Sequence, residues 1–364
     1  MHRLIPTLLV AALALTNVAQ AQDAPADYDK MVAKAVDYLS TKGRAEDGSY
    51  SRQTGTGVTS LVTASLLAHG RSPDDPLVAA SLKYLASNVQ PDGGIYAPKS
   101  EFQNYETCVA QMCFIAANKD GRYKEIIAGA DKYLRGLQYS AAKGVEHENV
   151  NFGGGGYSEK RRPDLSNTAF LVDALKAAGA QPDDQALQDA LVFVSRCQNL
   201  ESEFNTSPLA AKVNDGGFYY SVAGGGQGPE SADGKGLRSY GTMTYAGLKS
   251  MIYAGVKPDD KRVQAAIKWI SKNYDLQANP GMGDSGLYYY YHTFAKALDA
   301  TGENEIADGA GKKHNWREEL IATLAAQQRA DGAWVNKNGR FLEGDANLVT
   351  AYALLALSHC QPKK

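Results

Sequence analysis

An all-α ring of six helical hairpins, an α6–α6 toroid, is the fold this sequence predicts. Three observations predict it. A two-helix unit recurs six times along the chain. The second helix of each unit is apolar nearly all round, whereas the first is apolar on one face only. Glycine–proline–aspartate punctuation stands where the second helices should stop.

The first helices show apolar residues at i, i+3, i+4 and i+7. Their stripes are Val32/Ala35/Val36/Leu39, Val78/Leu82/Leu85, Ile126/Ala130/Tyr133/Leu134, Leu187/Ala190/Leu191/Val194 and Val263/Ala266/Ile267/Ile270, with a last helix near His314–Gln328. A glycine-rich turn carrying an aromatic follows each one. These turns include Asp47-Gly48-Ser49-Tyr50, Asp92-Gly93-Gly94-Ile95-Tyr96, Gly155-Gly156-Tyr157, Asp215-Gly216-Gly217-Phe218, Ser285-Gly286-Leu287-Tyr288 and Asp331-Gly332-Ala333-Trp334. Second helices are then expected at about 56–69, 104–118, 165–178, 239–254, 287–300 and 346–359. A helix that is apolar all round must be surrounded, so the second helices form an inner ring and the one-sided first helices an outer ring. Gly70, Gly179 and Gly255 mark the ends of inner helices. The Pro-Asp-Asp triplets after them, 73–75, 182–184 and 258–260, block continuation and cap the next helix.

Composition narrows the function classes. The chain is 44% hydrophobic and 21% charged, with a formal net charge of -2, which gives no basic footprint for nucleic acid. Residues 1–21 pair a basic start with a short apolar run and Ala19-Gln20-Ala21. That is the pattern of a secretory signal peptide, too short to span a bilayer, so residues 22–364 are expected to be exported as a single toroid domain to the periplasm or beyond. Cys108, Cys113, Cys197 and Cys360 all fall in helix-like stretches of a chain long enough to build a core, which favours buried, reduced thiols.

The stretch Leu324-x3-Gln328-x2-Asp331-Gly332-x-Trp334 resembles the QW motif of squalene and hopene cyclases, and Gln90-Pro91-Asp92-Gly93-Gly94 is a shorter copy. Over residues 28–360 the repeat is similar to the terpenoid cyclase and protein prenyltransferase β-subunit superfamily. The resemblance implies an α6–α6 barrel and leaves the activity open. The chain departs from the motifs that carry activity in those proteins. It holds no Asp-x-Asp-Asp string of the kind hopene cyclases use to protonate substrate, and no Gly-Cys-Gly-Glu-Gln thioester string. Tyr291-His292-Thr293 resembles half of the prenyltransferase zinc site. The other half should lie in Arg238–Tyr245, which has neither Asp nor Cys, so no zinc or other cofactor is expected.

Polar stripes on the inner helices predict a polar lumen with few aromatics. His292, Lys296 and Asp299 follow helical spacing, as do Arg238, Thr242, Tyr245 and Lys249; Asp173 and Lys176 form a further pair. All inner helices should begin at one mouth, where the long connections 139–164 and 199–238 also emerge, with Tyr96, Tyr157, Phe218, Tyr219, Tyr220, Tyr288 and Trp334 as the aromatics of that face. The leading expectation is a protein that binds an unidentified small molecule in this pocket, with Arg238, Tyr240, Tyr245, Tyr288, Tyr291, Lys296, Asn347 and Trp334 as candidate contacts. Basic residues near the mouth (Lys160, Arg161, Arg162, Lys235) make an anionic ligand conceivable, and a protein partner is a further option. The alternative is an enzyme, isoprenoid-processing or carbohydrate-active, with His292 and Asp345 as acid and base. Asp345 stands just ahead of the last inner helix, where it could equally be a cap.

Overall fold

A computed structural model describes residues 26–205, 207–222, 230 and 234–361; residues 1–21, expected from the sequence to be a signal peptide, lie outside them. The described residues hold thirteen α-helices. The outer ring consists of α1 (Ala26–Tyr38), α3 (Pro76–Ala86), α5 (Lys124–Leu137), α7 (Gln185–Arg196), α10 (Lys261–Lys272) and α12 (Trp316–Gln327). The inner ring consists of α2 (Gly57–Ala68), α4 (Gln103–Ala117), α6 (Leu165–Ala177), α9 (Gly241–Tyr253), α11 (Leu287–Thr301) and α13 (Ala346–Ser358), and α8 (Ala210–Val213) is a single turn in a long connection. Each inner helix packs on the next, and α13 packs back on α2, so the ring is closed. No described helix is long and apolar enough to cross a membrane.

The punctuation works as its chemistry dictates. Gly70, Gly179 and Gly255 take positive φ at the ends of α2, α6 and α9. The second aspartate of each triplet is the N-cap: Asp75, Asp184 and Asp260 accept the N–H groups of Leu77, Ala186 and Arg262. One expected boundary shifts. The last outer helix starts at Trp316, because His314 belongs to a short antiparallel hairpin, β1 (Glu305–Ala307) with β2 (Lys313–Asn315). Carboxylates of Asp308 and Glu319 hold that histidine.

The glycine-rich turns are a repeated device. Asp47, Asp92, Asp215 and Asp331 each accept the backbone N–H two residues on. The glycine after the aspartate must lie flat on a neighbouring helix: a Cβ on Gly332 (φ +88) would sit 2.2 Å from the Lys34 carbonyl oxygen. A threonine near the start of the inner helix then accepts the N–H of a turn residue, in the pairs Tyr50–Thr59, Ile95–Thr107, Gly155–Thr168, Phe218–Thr244 and Trp334–Thr350. Glutamines tie one outer helix to the next. Gln138, Gln198 and Gln328 each donate two hydrogen bonds, one to a turn glycine and one to a carbonyl of the following outer helix. Trp334 is fully buried and donates to the Leu324 carbonyl at 2.8 Å.

The repeat at 275–291 departs from this scheme. Gly286 (φ +65) is the N-cap of α11 rather than part of an aspartate turn. The threonine's place is taken by Tyr290 and Tyr291, whose hydroxyls donate to the Asp275 and Leu276 carbonyls at 2.7 Å each. All four cysteines are free and buried.

Candidate functional site

The first two turns of all six inner helices surround one cavity of about 360 Å³ at the ring's mouth. Val58 comes from α2, Tyr105 from α4, Ser166, Asn167 and Phe170 from α6, Thr242 and Met243 from α9, Tyr289 from α11, and Leu348 and Tyr352 from α13. The long connections add Phe102, Tyr157, Tyr220, Met282, Phe341 and Leu342, and Tyr240 enters as the N-cap of α9. Among the described residues, six tyrosines line the space and no charged side chain does. The lumen at this level is aromatic, which corrects the expected polar pocket. The charged residues of the stripes, Lys249 and Lys296, lie deeper, at the second space with Asp173.

Backbone pairing fixes three of the tyrosines. Asn104 at the start of α4 donates its N–H to the Tyr157 carbonyl at 2.9 Å, and Leu165 at the start of α6 donates to the Tyr220 carbonyl at 2.7 Å. Tyr240 donates its own N–H to the Phe218 carbonyl. Free helix N–H groups thus anchor the loops that carry the rings. Asp164 caps α6 beside them. Its carboxylate accepts the backbone N–H and the side-chain Nδ2 of Asn167, both at 2.8 Å. Burial pushes this carboxyl up to about 6, against the Asn167 and Tyr220 hydrogen bonds that favour the charged form.

Phe170 and Tyr289 close the cavity's inner end. Their rings are parallel, with centroids 5.9 Å apart, and Tyr352 lies 5.5 Å from Tyr289. Phe170 and Tyr289 also bound a second space of about 10 Å³, so they are a partition. Beyond it, Lys249 and Lys296 both hold Asp173 Oδ2, at 2.7 and 2.8 Å. Burial alone would raise the Asp173 carboxyl; the two lysine charges outweigh it and hold the group below its ordinary value. Burial pulls Lys249 down to about 8, with Asp173 opposing. The three side chains meet across the ring, and the lumen is plugged there. The sequence pairing Asp173–Lys176 is replaced by this cross-ring cluster. Asp299 turns away from Lys296 to Arg317 and His359.

The predicted site residues scatter. His292 sits behind the partition, stacked 5.8 Å from Tyr352, and burial followed by the Lys296 charge holds its pKa well below the ordinary value. Asp345 caps α13, accepting from Asn347 and Leu348 N–H groups. The two do not converge. Tyr240 lines the cavity. Tyr245 packs against Tyr290 and Phe294, and Tyr288 against Tyr291. Tyr291 and Trp334 are buried in the hydrogen bonds given above, Lys296 belongs to the plug, and Arg238 is exposed ahead of α9. Asn347 ties α13 to Gly43 and Ser51. Sequence reasoning missed Tyr289, Tyr105, Phe170, Tyr352, Asp164 and Asn167. Asp164, placed directly before a helix with Asn167 three residues on, carried a readable capping signal. Among the described residues no three His, Cys, Asp or Glu side chains gather to hold a metal.

No family model matches the chain, and no curated protein matches it in sequence. Its fold is found in solved structures. It is similar to the type II terpene cyclase MstE from Scytonema (12% identity, TM-score 0.51, 91% of this chain and 97% of that one). It is also similar to a glycosidase variant (12%, 0.53, 92% and 98%) and to a polysaccharide lyase (11%, 0.50, 92% and 97%). The chain shares the α/α-toroid fold of these structures. At these identities the likeness establishes the architecture that those different proteins share, with the chemistry differing among them.

Proposed function

We propose that this is an exported binding toroid that holds a neutral, mainly apolar organic molecule of isoprenoid kind in its aromatic mouth cavity. The observation that carries the reading is the lining: among the described residues, six tyrosines with phenylalanine, methionine and leucine, and no charged side chain. Such a surface gains by taking apolar area from water. The plug of Asp173, Lys249 and Lys296 makes the space blind-ended, which suits retention better than passage.

An isoprenoid-processing enzyme is the second reading, favoured by aromatic faces able to stabilise a cation and by the buried Asp164 carboxyl beside them. A carboxyl with a pKa near 6 is mainly ionised at neutral pH, and both Asp164 oxygens already accept hydrogen bonds. That is poor equipment for protonating an alkene, so binding leads. His292, walled off behind Phe170 and Tyr289, has no part in either reading.

The test is thermal unfolding with the hydrocarbon farnesene and, separately, with maltooligosaccharides. Farnesene should raise the melting temperature, and Met282→Trp, which fills the cavity from a loop, should abolish the rise. Protection by the sugar and none by farnesene would transfer the protein to the carbohydrate class.

A further inference from the structure

Backbone strain and uncovered apolar surface coincide at the mouth of the cavity. Phe341 (φ +59) and Leu342 (φ +63) both sit in the left-handed region, and among the described residues they are the one pair of neighbouring non-glycine residues that do so. That region crowds the Cβ of an L-residue, so turns that need it normally use glycine or asparagine. A phenylalanine followed by a leucine is the costly choice. The same two side chains are also left in water, Phe341 at 38% and Leu342 at 57% exposed. Both line the cavity.

Other groups pin the base of their loop. Asn336 donates to the Asp284 carbonyl at 2.7 Å and to the Glu343 carboxylate at 2.6 Å. Asn338 donates to the Asp284 carboxylate and to the Ser285 hydroxyl. The surroundings of Phe341 present its ring to the mouth. A Cβ on Gly286 would stand 3.2 Å from Phe341 Cδ2, so the N-cap of α11 is bare where the ring lies. The Arg340 guanidinium lies over the same ring, 4.8 Å from its centroid. Glu343, next in the chain after Leu342, accepts the Tyr289 N–H, which ties the loop to a wall residue of the cavity.

Backbone strain that the local fold does not need points to function. We propose that Phe341 and Leu342 form a clasp, two ligand-contacting side chains that cover the apolar molecule in the cavity at its open end and slow its release. This rests on the reading of the cavity as an apolar-ligand site and adds the residues that retain the ligand there. A molecule filling the space offers both side chains an apolar surface, and the water over them is released. The left-handed pair is set before the ligand arrives, so little ordering is left for the binding step. The Phe170–Tyr289 partition closes the inner end of the space, and the clasp closes the outer one.

The experiment compares the full chain with a double variant, Phe341→Asn with Leu342→Asn, in which both positions accept the left-handed backbone without an apolar side chain. Two quantities are read: the melting temperature without ligand, by circular dichroism, and the dissociation constant for farnesene, by isothermal titration. The double variant should melt at or above the wild-type temperature and bind farnesene about tenfold or more weakly. Phe341→Leu, which keeps an apolar contact on the same strained backbone, should bind close to wild type. A double variant that melts well below wild type would overturn the clasp, because the two side chains would then be holding the fold. Unchanged farnesene affinity in the double variant would also overturn it and leave the apolar-cavity reading standing. If the wild type fails to bind farnesene, both readings fall together.

Discussion

Four consecutive tyrosines at the start of α11 have four different employments. Tyr289 faces the cavity, Tyr290 and Tyr291 bond loop carbonyls, and Tyr288 packs on Tyr291. A helix turns about 100° per residue, so only one of four neighbours can address the lumen. The sequence shows that bulky phenols gather here and hides which one is that residue, because the phase of α11 is set by Gly286 and by Glu343 reaching over from the next repeat. Glu343 accepts the Tyr289 N–H at 2.8 Å and an Asn336 hydrogen bond, and burial pushes its carboxyl up to about 7. A raised folded pKa contributes stability that is fully present below the ordinary glutamate value and is lost as pH climbs through about 7. Melts of wild type and Glu343→Gln between about pH 5 and about pH 8 should therefore differ: the wild type carries a downward component that the variant lacks. Parallel pH profiles for the two proteins would show that Glu343 does not titrate in this range.

At the scale of the elements, the helices were legible and their partners were not. Each inner helix begins and ends within about two residues of the pattern, because the glycine stops and aspartate caps are local signals. Lys249, Lys296 and Asp173 were equally visible as buried charges that must pair. Their mutual choice depends on α6, α9 and α11 meeting across the ring, which no local spacing encodes. Removing the anion should be severe. Asp173→Ala leaves two buried ammonium groups facing each other and should cost about 3–5 kcal/mol in urea unfolding. Replacing all three groups with leucine and methionine should restore much of that loss. A single variant as stable as wild type would mean that water reaches the cluster. The glutamine ties make a second expectation: Gln198→Ala strips two hydrogen bonds from carbonyls of buried backbone and should cost about 1–3 kcal/mol, without changing ligand affinity.

For the molecule as a whole, the ring and the cavity are one object, since the lining is drawn from every inner helix. A ligand there binds the folded ring and has nothing to bind in the unfolded chain. At a hundredfold excess over its dissociation constant it should add about 2.7 kcal/mol to the unfolding free energy. Calorimetry across a ligand titration checks this, and a melting temperature that ignores ligand concentration would contradict a site shared by all six helices. The toroid could be read from the sixfold recurrence; the cavity's aromatic character could not, because Tyr105, Phe170 and Tyr352 look like any core residue until the ring assigns them a face.

The seam between α13 and α2 also sets a timetable. A ribosome delivers α2 roughly 290 residues before the helix that will cover its flank, an interval of about 15–60 s at ordinary rates of synthesis. During that time a helix greasy on every side waits beside an unfilled gap. The nascent chain is thus an open horseshoe with a sticky end, and its safe arrival depends on whatever shelters that end until the last hairpin snaps shut.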